Sequence, residues 1–498
     1  MRRLDTHTPD LPLFDVAHTR RIEAAALTVL PPHALLQRAG AAVARLALAL
    51  APHARVVRIL AGVGNNGGDG LDAAIRLQHA GKPVEVVLLG EPQPDDARDA
   101  LARAHDAGVA VNPTALSALG PQDLAIDALL GIGASRAAEG MLREAIVGLN
   151  ALPCPVLAID LPSGLAANTG QPLGDAVRAQ HTLSLLTVKP GLFTASGRDH
   201  AGTVWFDDLG VDTSQESPEA WLGGARSAAL HRRRHAQHKG SFGDLMVVGG
   251  APGMGGAALL AGRAALAAGA GRVFVDLLDP QAPALDAGRP ELMLRFGWSR
   301  QADAEALARS TVVCGCGGGD SVRSVLPRLL GGSGRLVLDA DALNAVAADG
   351  QLRKALCARA GRAQATVLTP HPLEAARLLG LGSTEVQADR LAAARELADE
   401  FASVVVLKGS GSVIAAPGRA PRINASGNVA LATAGTGDVL AGWLGGHWAQ
   451  RPEADAAERA WHAAVHAVWR HGATADACGA RILRAADLIE QMTRFDDR

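Results

Sequence analysis

The chain has 498 residues, which is too long for one hydrophobic core and predicts two domains. Its formal net charge is −2 with 20% charged residues, which excludes a positive field that would attract nucleic acid or anionic lipid. Aromatic residues make up only 3% of the chain, which argues against a base-stacking surface for single-stranded nucleic acid.

The five cysteines are odd in number and scattered, which is typical of proteins kept in a reducing compartment. The N-terminus is not followed by an apolar signal core, and no apolar run reaches the length of a membrane span. We therefore expect a cytoplasmic protein with no membrane partner.

From Arg55 onward, short runs of β-branched residues alternate with amphipathic segments rich in alanine and leucine. Such alternation predicts βαβ units on a mostly parallel sheet. Two helices are predicted ahead of it, over residues 20–27 and 33–50. The strands are predicted at residues 55–61, 84–89, 124–130, 155–159 and 182–188.

The first glycine motif, Gly62-Val-Gly-Asn-Asn-Gly-Gly-Asp-Gly70, follows the first strand and precedes a helix predicted to begin at Leu71. Its spacing satisfies the Gly-x-Gly-x-x-Gly pattern of dinucleotide-binding folds. However, a carboxylate at Asp69 would repel a pyrophosphate, and no acid stands clearly at the end of the second strand. The motif therefore argues against a plain NAD-dependent dehydrogenase and favours contacts with sugar hydroxyls, amides or a cation.

Two further strands bring aspartates to the carboxyl edge of the sheet, where open α/β sheets bind ligands. Asp127 lies near one strand end, and Asp160 follows the next in the motif Asp160-Leu-Pro-Ser-Gly164. Lys189 closes the last strand of the series, so we expect a cation opposite Asp160. An acid and a base held apart in one cleft suit proton transfer at a single carbon, and we predict that Asp160 and Lys189 are catalytic. Either aspartate taken singly also fits a structural turn residue.

The asparagine-rich motif and Asp160-Leu-Pro-Ser-Gly164 together resemble the NAD(P)H-hydrate epimerase family, over nearly all of residues 1–215. The resemblance implies a Rossmann-like three-layer domain that binds a hydrated nicotinamide nucleotide and a potassium ion. It implies that potassium is held by Asn66, Asp127 and Ser163. It implies substrate binding by Asn65, Asn66, Gly67, Gly68, Asp69, Gly131, Ile132, Gly133, Ala134, Ser135, Arg136, Ala137 and Asp160.

A domain boundary is predicted between residues 217 and 218, where the sequence becomes polar and loses its periodicity. A second α/β series begins at Leu245, with helices between its strands and three more helices closing the chain after Asp438. Its later strands are predicted at residues 272–278, 311–314, 335–338, 366–368 and 403–407.

Polar or glycine-rich loops follow the strands of this second domain directly. The last loop, Ala432-Thr-Ala-Gly-Thr-Gly-Asp438, leads into a helix, so free amides of the first helical turn face an incoming anion. Asp438 is either a helix cap or the acid of a phosphate cradle, and the flanking glycines favour the cradle. Together these loops predict a nucleotide-binding site that carries out phosphoryl transfer. The sequence contains no P-loop motif, so the site is not that of a P-loop enzyme.

This motif set resembles the ribokinase-like superfamily and, within it, the ADP- or ATP-dependent NAD(P)H-hydrate dehydratases, over about residues 225–493. The resemblance implies a ribokinase-like α/β domain that uses ADP, with magnesium, as co-substrate and Asp438 as catalytic base. It implies that the hydrated cofactor contacts Ala257, Gly318, His371 and Asp438. It implies nucleotide binding by Lys408, Gly409, Ser410, Gly411, Ser412 and Gly437.

The sequence thus predicts a two-domain cofactor-repair enzyme. Residues 1–217 would interconvert the R and S epimers of hydrated NADH and NADPH, and residues 218–498 would dehydrate the S form with ADP. We also expect a homo-oligomer without nucleic-acid partners. The alternatives are a ribokinase-like kinase of a small alcohol and a first domain that is a non-catalytic nucleotide-binding or interaction module.

Overall fold

The protein divides into two compact units. One contains Met1–Asp5 and Pro12–Ala220, and the other contains Thr6–Leu11 and Trp221–Arg498. Both are α/β, as predicted. The residues described by the computed structural model are 1–5, 8, 10–223, 235–450, 455–479 and 482–494.

A short N-terminal segment, Thr6–Leu11, belongs to the second unit although residues of the first unit flank it in sequence. Within the second unit, Nη1 and Nη2 of Arg422 donate to the two carboxylate oxygens of Asp10 at 2.7 Å each. Both side chains are partly buried. This bidentate ion pair anchors the segment in the second unit.

The first unit alternates helices with strands. Its elements, with the strand that follows the N-terminal segment, are β1 (Arg2–Arg3), β2 (Leu11–Leu13), α1 (Val16–Leu27), α2 (Ala34–Leu50), β3 (Val57–Ala61), α3 (Asn65–His79), β4 (Val84–Leu88), α4 (Asp95–Asp106), β5 (Ala110–Val111), β6 (Leu124–Ala128), α5 (Gly140–Asn150), β7 (Val156–Ile159), β8 (His181–Leu185), α6 (Gly197–Ala201) and β9 (Thr203–Asp207). A short 3-10 helix, Pro190–Leu192, follows β8.

Among the described residues, eight strands pair in the order β1-β9-β8-β7-β6-β3-β4-β5. All neighbouring strands are parallel except β1 and β9. The chain runs outward from β3 to β5 and then returns to place β6 on the other side of β3. The carboxyl ends of β3 and β6 therefore flank the crevice where doubly wound sheets bind ligands.

Side chains of the central strands alternate between two apolar cores, one on each face of the sheet. Ile59 packs with residues of α2 and α3, whereas the next residue, Leu60, packs with residues of α5. Leu124 and Ala125 divide between the same two cores. Helices on both faces of a parallel sheet make the three-layer, Rossmann-like arrangement that was predicted.

Helix α3 begins at Asn65, not at Leu71, so the expectation of a loop over Asn65–Asp69 was wrong. The glycines in its first turns are needed for close packing. A Cβ on Gly67 would lie 2.0 Å from the carbonyl oxygen of Gly62, and one on Gly70 would lie 2.7 Å from the Cβ of Ala128. The helix thus rests directly on the ends of β3 and β6, which only residues without a side chain allow.

We expect Gly67→Ala to destabilise the first unit by about 1–3 kcal/mol or more, because the added methyl group overlaps backbone that cannot easily move. Gly64→Ala is the matched control, since a Cβ on Gly64 would meet nothing within 4 Å. Thermal unfolding should show a lowered transition for Gly67→Ala alone. Equal transitions in the two variants would mean that α3 moves away from the strands at little cost.

The second unit is also built from alternating strands and helices. Its elements are β10 (Ala220–Leu222), β11 (Asp244–Gly249), α7 (Gly255–Ala267), β12 (Arg272–Leu277), β13 (Met293–Leu294), α8 (Trp298–Gln301), α9 (Ala304–Arg309), β14 (Thr311–Cys314), α10 (Leu326–Gly332), β15 (Arg335–Leu338), α11 (Asp341–Ala348), α12 (Gly350–Cys357), β16 (Ala365–Leu368), α13 (Pro372–Leu379), α14 (Ser383–Ala388), α15 (Arg390–Glu400), β17 (Val404–Leu407), β18 (Val413–Ala415), β19 (Arg422–Ile423), α16 (Thr436–Ala449), α17 (Ala456–Cys478) and α18 (Ala485–Arg494). Short 3-10 helices cover Lys239–Phe242, Gly319–Ser324, Ala360–Arg362 and Val429–Leu431.

Within the described residues, eleven strands pair in the order β13-β12-β11-β14-β15-β16-β17-β18-β19-β10-β2. The strands from β13 to β17 are parallel, and β18 is antiparallel to both of its neighbours. Helices α7, α16 and α17 contribute to one large apolar core with residues of the central strands. No helix in the described part of the chain is long and apolar enough to cross a membrane.

Candidate active sites

A cavity of about 650 Å³ opens in the first unit at the carboxyl ends of β3, β6, β7 and β8. Gly67 and Gly68 lie on the packed face of α3, and their predicted contact with substrate stays a prediction. The other residues predicted to bind or transform substrate line the cavity: Asn65, Asn66, Asp69, Gly131, Ile132, Gly133, Ala134, Ser135, Arg136, Ala137, Asp160 and Lys189.

Asp160 and Lys189 are in direct contact, so the expectation that they are held apart across a cleft was wrong. Nζ of Lys189 donates to Oδ1 of Asp160 and to the carbonyl oxygens of Leu185 and Thr187, at 2.8 and 2.9 Å. These bonds use all three ammonium protons, and the lysine side chain is 1% exposed. Oδ1 of Asp160 also accepts the Leu185 amide at 3.1 Å, whereas Oδ2 accepts no hydrogen bond from any described residue. Oδ2 is therefore the available proton acceptor of the pair.

The three residues predicted to hold potassium meet at the loop that follows β6. Ser163 donates its hydroxyl to Oδ1 of Asp127 at 2.6 Å and its amide to Oδ2 at 2.8 Å. The Ser163 hydroxyl also accepts the Leu130 amide at 2.9 Å, and Nδ2 of Asn66 donates to the Leu130 carbonyl at 3.1 Å. Burial raises the pKa of Asp127 to about 6. Neutral oxygens around one carboxylate are the donor set of a hard cation, so these residues fit a potassium ion.

The cavity also contains acidic residues that the sequence did not connect. Glu23 of α1 and Asp96 of α4 line it with Asp69 and Asp160. Burial, followed by the charge of Asp160, raises the pKa of Asp69 well above its usual value and raises that of Glu23 as well. Glu23 lies far from the motifs in sequence, and no local pattern connected it with this site.

In the second unit, Lys408 follows β17 and contacts the carboxylate of Asp339, which follows β15. Its Nζ donates to Oδ1 of Asp339 at 2.6 Å and lies 3.9 Å from Oε2 of Glu374. Thr369 donates its hydroxyl to the same Asp339 oxygen at 2.7 Å. Burial alone would lower the pKa of Lys408, but the charges of Asp339 and Glu374 raise it above its usual value. The ammonium therefore stays charged in the site.

Asp438 is the third residue of α16, which begins at Thr436 with Gly435 as its N-cap in a left-handed conformation, φ 88°. Asp438 is therefore not the N-cap, which removes the simpler of its two interpretations. A Cβ on Gly437 would lie 3.6 Å from Nζ of Lys408, so the ammonium reaches the same helix end. The unpaired amides of a helix N-terminus and an ammonium together favour a bound phosphate.

Cys316 lies between the two carboxylates of this site. Its Sγ is 3.9 Å from Oδ2 of Asp339, and the side-chain ligand atoms of Cys316, Asp339 and Asp438 lie within 4.8 Å of one another. Burial, followed by the charge of Asp339, raises the pKa of Asp438 to about 6. Burial also raises the pKa of Cys316 well above its usual value, so the residue stays a neutral thiol.

His371 caps helix α13. Its Nδ1 accepts the amides of Leu373 and Glu374 at 3.0 and 3.4 Å, and its Nε2 lies 3.2 Å from Oε1 of Glu374. Burial lowers the pKa of His371 and raises that of Glu374 to about 7. The ring is therefore a neutral cap with an exposed edge, and its contact with the hydrated cofactor stays a prediction.

The loops after β11 and β14 lie against each other. A Cβ on Gly317 would be 2.6 Å from the carbonyl oxygen of Met254 and 2.9 Å from the Cβ of Ala257. The next residue, Gly318, accepts with its carbonyl the amide of Val322 at 3.2 Å, at the start of a 3-10 helix. Ala257 and Gly318, which are both predicted to contact the hydrated cofactor, thus lie close together in the fold.

The predicted nucleotide loop, Lys408–Ser412, joins β17 to the antiparallel strand β18 and does not lead into a helix, unlike the other loops of the site. Ser412 donates its hydroxyl to the Gly409 carbonyl at 3.2 Å, and Gly411 turns with φ 60°. Gly409 and Ser410 are exposed. Beneath them the buried Arg390 donates to the carbonyls of Leu407 and Lys408 at 3.1 and 3.2 Å, which fixes the loop.

Comparison with known proteins finds a family match in each unit. Residues 32–191 match the family described as YjeF-related protein N-terminus, and residues 245–494 match the NAD(P)H-hydrate dehydratase family. The bifunctional NAD(P)H-hydrate repair enzyme Nnr of Escherichia coli is 35% identical over 495 residues, which cover 95% of this chain and 91% of that protein. The chain belongs to the bifunctional NAD(P)H-hydrate repair enzyme family.

Two further proteins are similar to the whole chain or to its second unit. The bifunctional NAD(P)H-hydrate repair enzyme Nnr of Coxiella burnetii is 35% identical over 476 residues, which cover 92% of this chain and 93% of that protein. The structure of the ADP/ATP-dependent NAD(P)H-hydrate dehydratase of Bacillus subtilis, crystallised with ATP and Mg²⁺, aligns with 53% of this chain. The alignment covers 92% of that protein's chain, with 29% sequence identity and a TM-score of 0.43.

For this member of the repair enzyme family, we expect kcat/KM of dehydration to fall about tenfold per pH unit below pH 6, as Asp438 becomes protonated. The variant Asp339→Asn removes a negative charge near Asp438 and should therefore lower the pKa of Asp438. The fall in kcat/KM should then begin at a lower pH than in the wild type, even if the variant is slower overall. Asp399→Asn, an exposed carboxylate on α15, is the control. If the fall in kcat/KM begins at the same pH in Asp339→Asn and in the wild type, a group other than Asp438 controls the pH dependence.

Proposed function

We propose that the chain repairs hydrated nicotinamide cofactors in the cytoplasm. The first unit exchanges the R and S epimers of hydrated NADH and NADPH, and the second unit dehydrates the S form with ADP, giving NADH or NADPH, AMP and phosphate. The assembly of Asp438, Lys408 and the N-terminus of α16 at one sheet edge supports the second activity most directly. The homo-oligomer expected from the sequence remains a prediction.

Epimerisation needs one group that accepts a proton and one that supplies positive charge at the hydrated carbon. Oδ2 of Asp160 is the acceptor in this proposal, because Oδ1 is held by Lys189 and the Leu185 amide. Lys189 is fixed by two backbone carbonyls, so its charge stays beside Asp160 while the proton moves. The pair thus presents one basic oxygen to the cavity, with the buried cation directly behind it.

Potassium would be held by oxygens of Asn66, Asp127 and Ser163, beside the loop that begins at Gly131. Bound there, it would supply positive charge that fixes this loop. We expect epimerisation to rise when potassium replaces lithium at constant ionic strength, and we expect Ser163→Ala to weaken this activation. Thr169→Ala, which leaves all three oxygens in place, is the control. Equal rates in both salts would remove potassium from the proposal.

Dehydration requires a better leaving group than hydroxide. Asp438 takes the proton of the substrate hydroxyl, whose oxygen then attacks the terminal phosphorus of ADP and releases AMP. The Gly437 amide and Lys408 hold the negative charge of the moving phosphoryl group. The carbon–oxygen bond then breaks and phosphate leaves with its electron pair. A proton of the adjacent ring carbon passes to the departing phosphate, which restores the double bond of the dihydronicotinamide ring. Magnesium would enter with the nucleotide phosphates.

The proposal is tested by incubating the protein with both hydrate epimers, ADP and potassium. Dihydronicotinamide absorbance should return for both epimers, and comparison of ADP with ATP fixes the donor. A stable phosphorylated product would instead indicate a kinase of a small alcohol. Dehydration of the S form alone would make the first unit a non-catalytic module.

A further inference from the structure

Helix α1 forms one wall of the cavity in the first unit. Thr19, Arg20, Glu23 and Leu27 line it, and their spacing places them on neighbouring positions of one helix face. The helix is fixed on the unit at its start, because the Thr19 hydroxyl bonds the Thr187 hydroxyl at 2.8 Å and Ile22 is buried in the core. The motifs that identify the site do not include this wall.

Arg20 presents an exposed guanidinium to the loop after β6. Its Nη2 atom lies 3.8 Å from the position that a Cβ on Gly133 would take. In the part of the chain that the structure describes, Arg20 forms no ion pair, whereas the adjacent Arg21 is paired with Glu216 at 3.1 Å. Of two neighbouring arginines, Arg21 is thus paired at the surface, whereas Arg20 faces the cavity without an ion pair, and its charge acts on Glu23 by lowering the pKa of that carboxyl group, which burial raises.

The acidic residues of the cavity are more buried than its two arginines. Glu23, Asp69 and Asp160 are half-buried in its wall, whereas Arg20 and Arg136 are exposed at the loop Gly131–Ala137. A dinucleotide carries a pyrophosphate between its two nucleosides, and this group would be repelled by the carboxylates and attracted by the two guanidiniums. Guanidinium matches phosphate oxygens with two parallel hydrogen bonds.

We propose that Arg20 binds the pyrophosphate of the hydrated cofactor, with Arg136 on the facing loop, and so directs the hydrated ring toward Asp160. The inference rests on the proposed epimerase function for its substrate, but the phosphate site stands on the cavity itself. Arg20 is a specificity-determining residue in this arrangement, and it takes no part in proton transfer.

The test compares Arg20→Ala, Arg20→Lys and the control Arg21→Ala in the full chain. With the phosphate site of the second unit occupied by saturating ADP, titration with inorganic pyrophosphate should show at least about tenfold weaker binding for Arg20→Ala, partial retention for Arg20→Lys, and wild-type binding for Arg21→Ala. Equal pyrophosphate affinity in Arg20→Ala and wild type overturns the inference, whether or not the chain epimerises.

Turnover provides the second readout. Without nucleotide, exchange of the two epimers is followed by chromatography. Arg20→Ala should raise KM about tenfold or more, reduce its dependence on salt, and leave kcat within about twofold. An unchanged KM with a lowered kcat would contradict a phosphate-binding role. A wild-type chain that exchanges no epimers would reject the proposed function, while the pyrophosphate titration still decides the role of Arg20.

Discussion

Asp438→Asn should reduce kcat/KM of dehydration by about 10²- to 10⁴-fold, the range of a lost general base. The substitution keeps the size of the side chain at the third position of α16 but cannot accept the proton of the substrate hydroxyl. Epimerisation should be unchanged, because the predicted base of that reaction lies in the other unit. The measurement is recovery of dihydronicotinamide absorbance from the S form with saturating ADP, beside epimer exchange without nucleotide.

The control for this variant is Asp399→Asn, which removes an exposed carboxylate from the same unit and should leave both rates unchanged. The pH profile adds a second criterion, since the acid limb near pH 6 should disappear from the residual rate of Asp438→Asn. Dehydration at the wild-type rate would remove Asp438 from its role as base. Loss of epimerisation as well would indicate a wider structural effect.

Asp160→Asn should reduce epimerisation by about 10²- to 10⁴-fold and leave dehydration of the S form intact. Asn is the suitable replacement, because residue 160 has a left-handed backbone, φ 67°, and asparagine tolerates this conformation as aspartate does. The substitution therefore removes the basic oxygen without adding backbone strain. With a mixture of epimers and ADP, absorbance should stop rising once the S form is consumed.

The matched control is Asp106→Asn, an exposed residue at the end of α4, which should allow both epimers to be consumed. Adding a separate epimerase to the stalled Asp160→Asn reaction should restart it, which shows that only the R form remains. Complete conversion by Asp160→Asn itself would assign the proton transfer to another group, and Asp69 would then be the first candidate because it lines the same cavity.

Much of the architecture follows from the sequence, because buried parallel strands are short apolar runs bounded by turns. Strands β14 and β15 begin and end at the predicted residues. The predicted strand over residues 182–188 instead ends at Leu185, since Leu186 has φ 64° and leaves the extended conformation. A left-handed backbone at a leucine depends on tertiary contacts, and the local sequence pattern contains no information about those contacts.

The dependence on tertiary contacts also explains which features of the two sites could not be predicted from the sequence. The contact between Lys189 and Asp160 depends on left-handed turns after β7 and β8, and the early start of α3 depends on glycines that serve packing. The position of Asp438 in the first turn of a helix that follows a glycine loop could, by contrast, be predicted, because loop, acid and helix are contiguous in sequence. Residues that meet only through the fold, such as Arg20 and Gly133, leave no local signal.

The segment Thr6–Leu11 has a consequence for dividing the chain into two parts. Because Arg422 of the second unit holds Asp10, cutting between residues 217 and 218 would deprive the later half of a part that lies at the other end of the chain. The two halves are thus interleaved in sequence and not simply placed end to end. A later half that began at residue 218 would therefore lack Asp10, the carboxylate that pairs with Arg422.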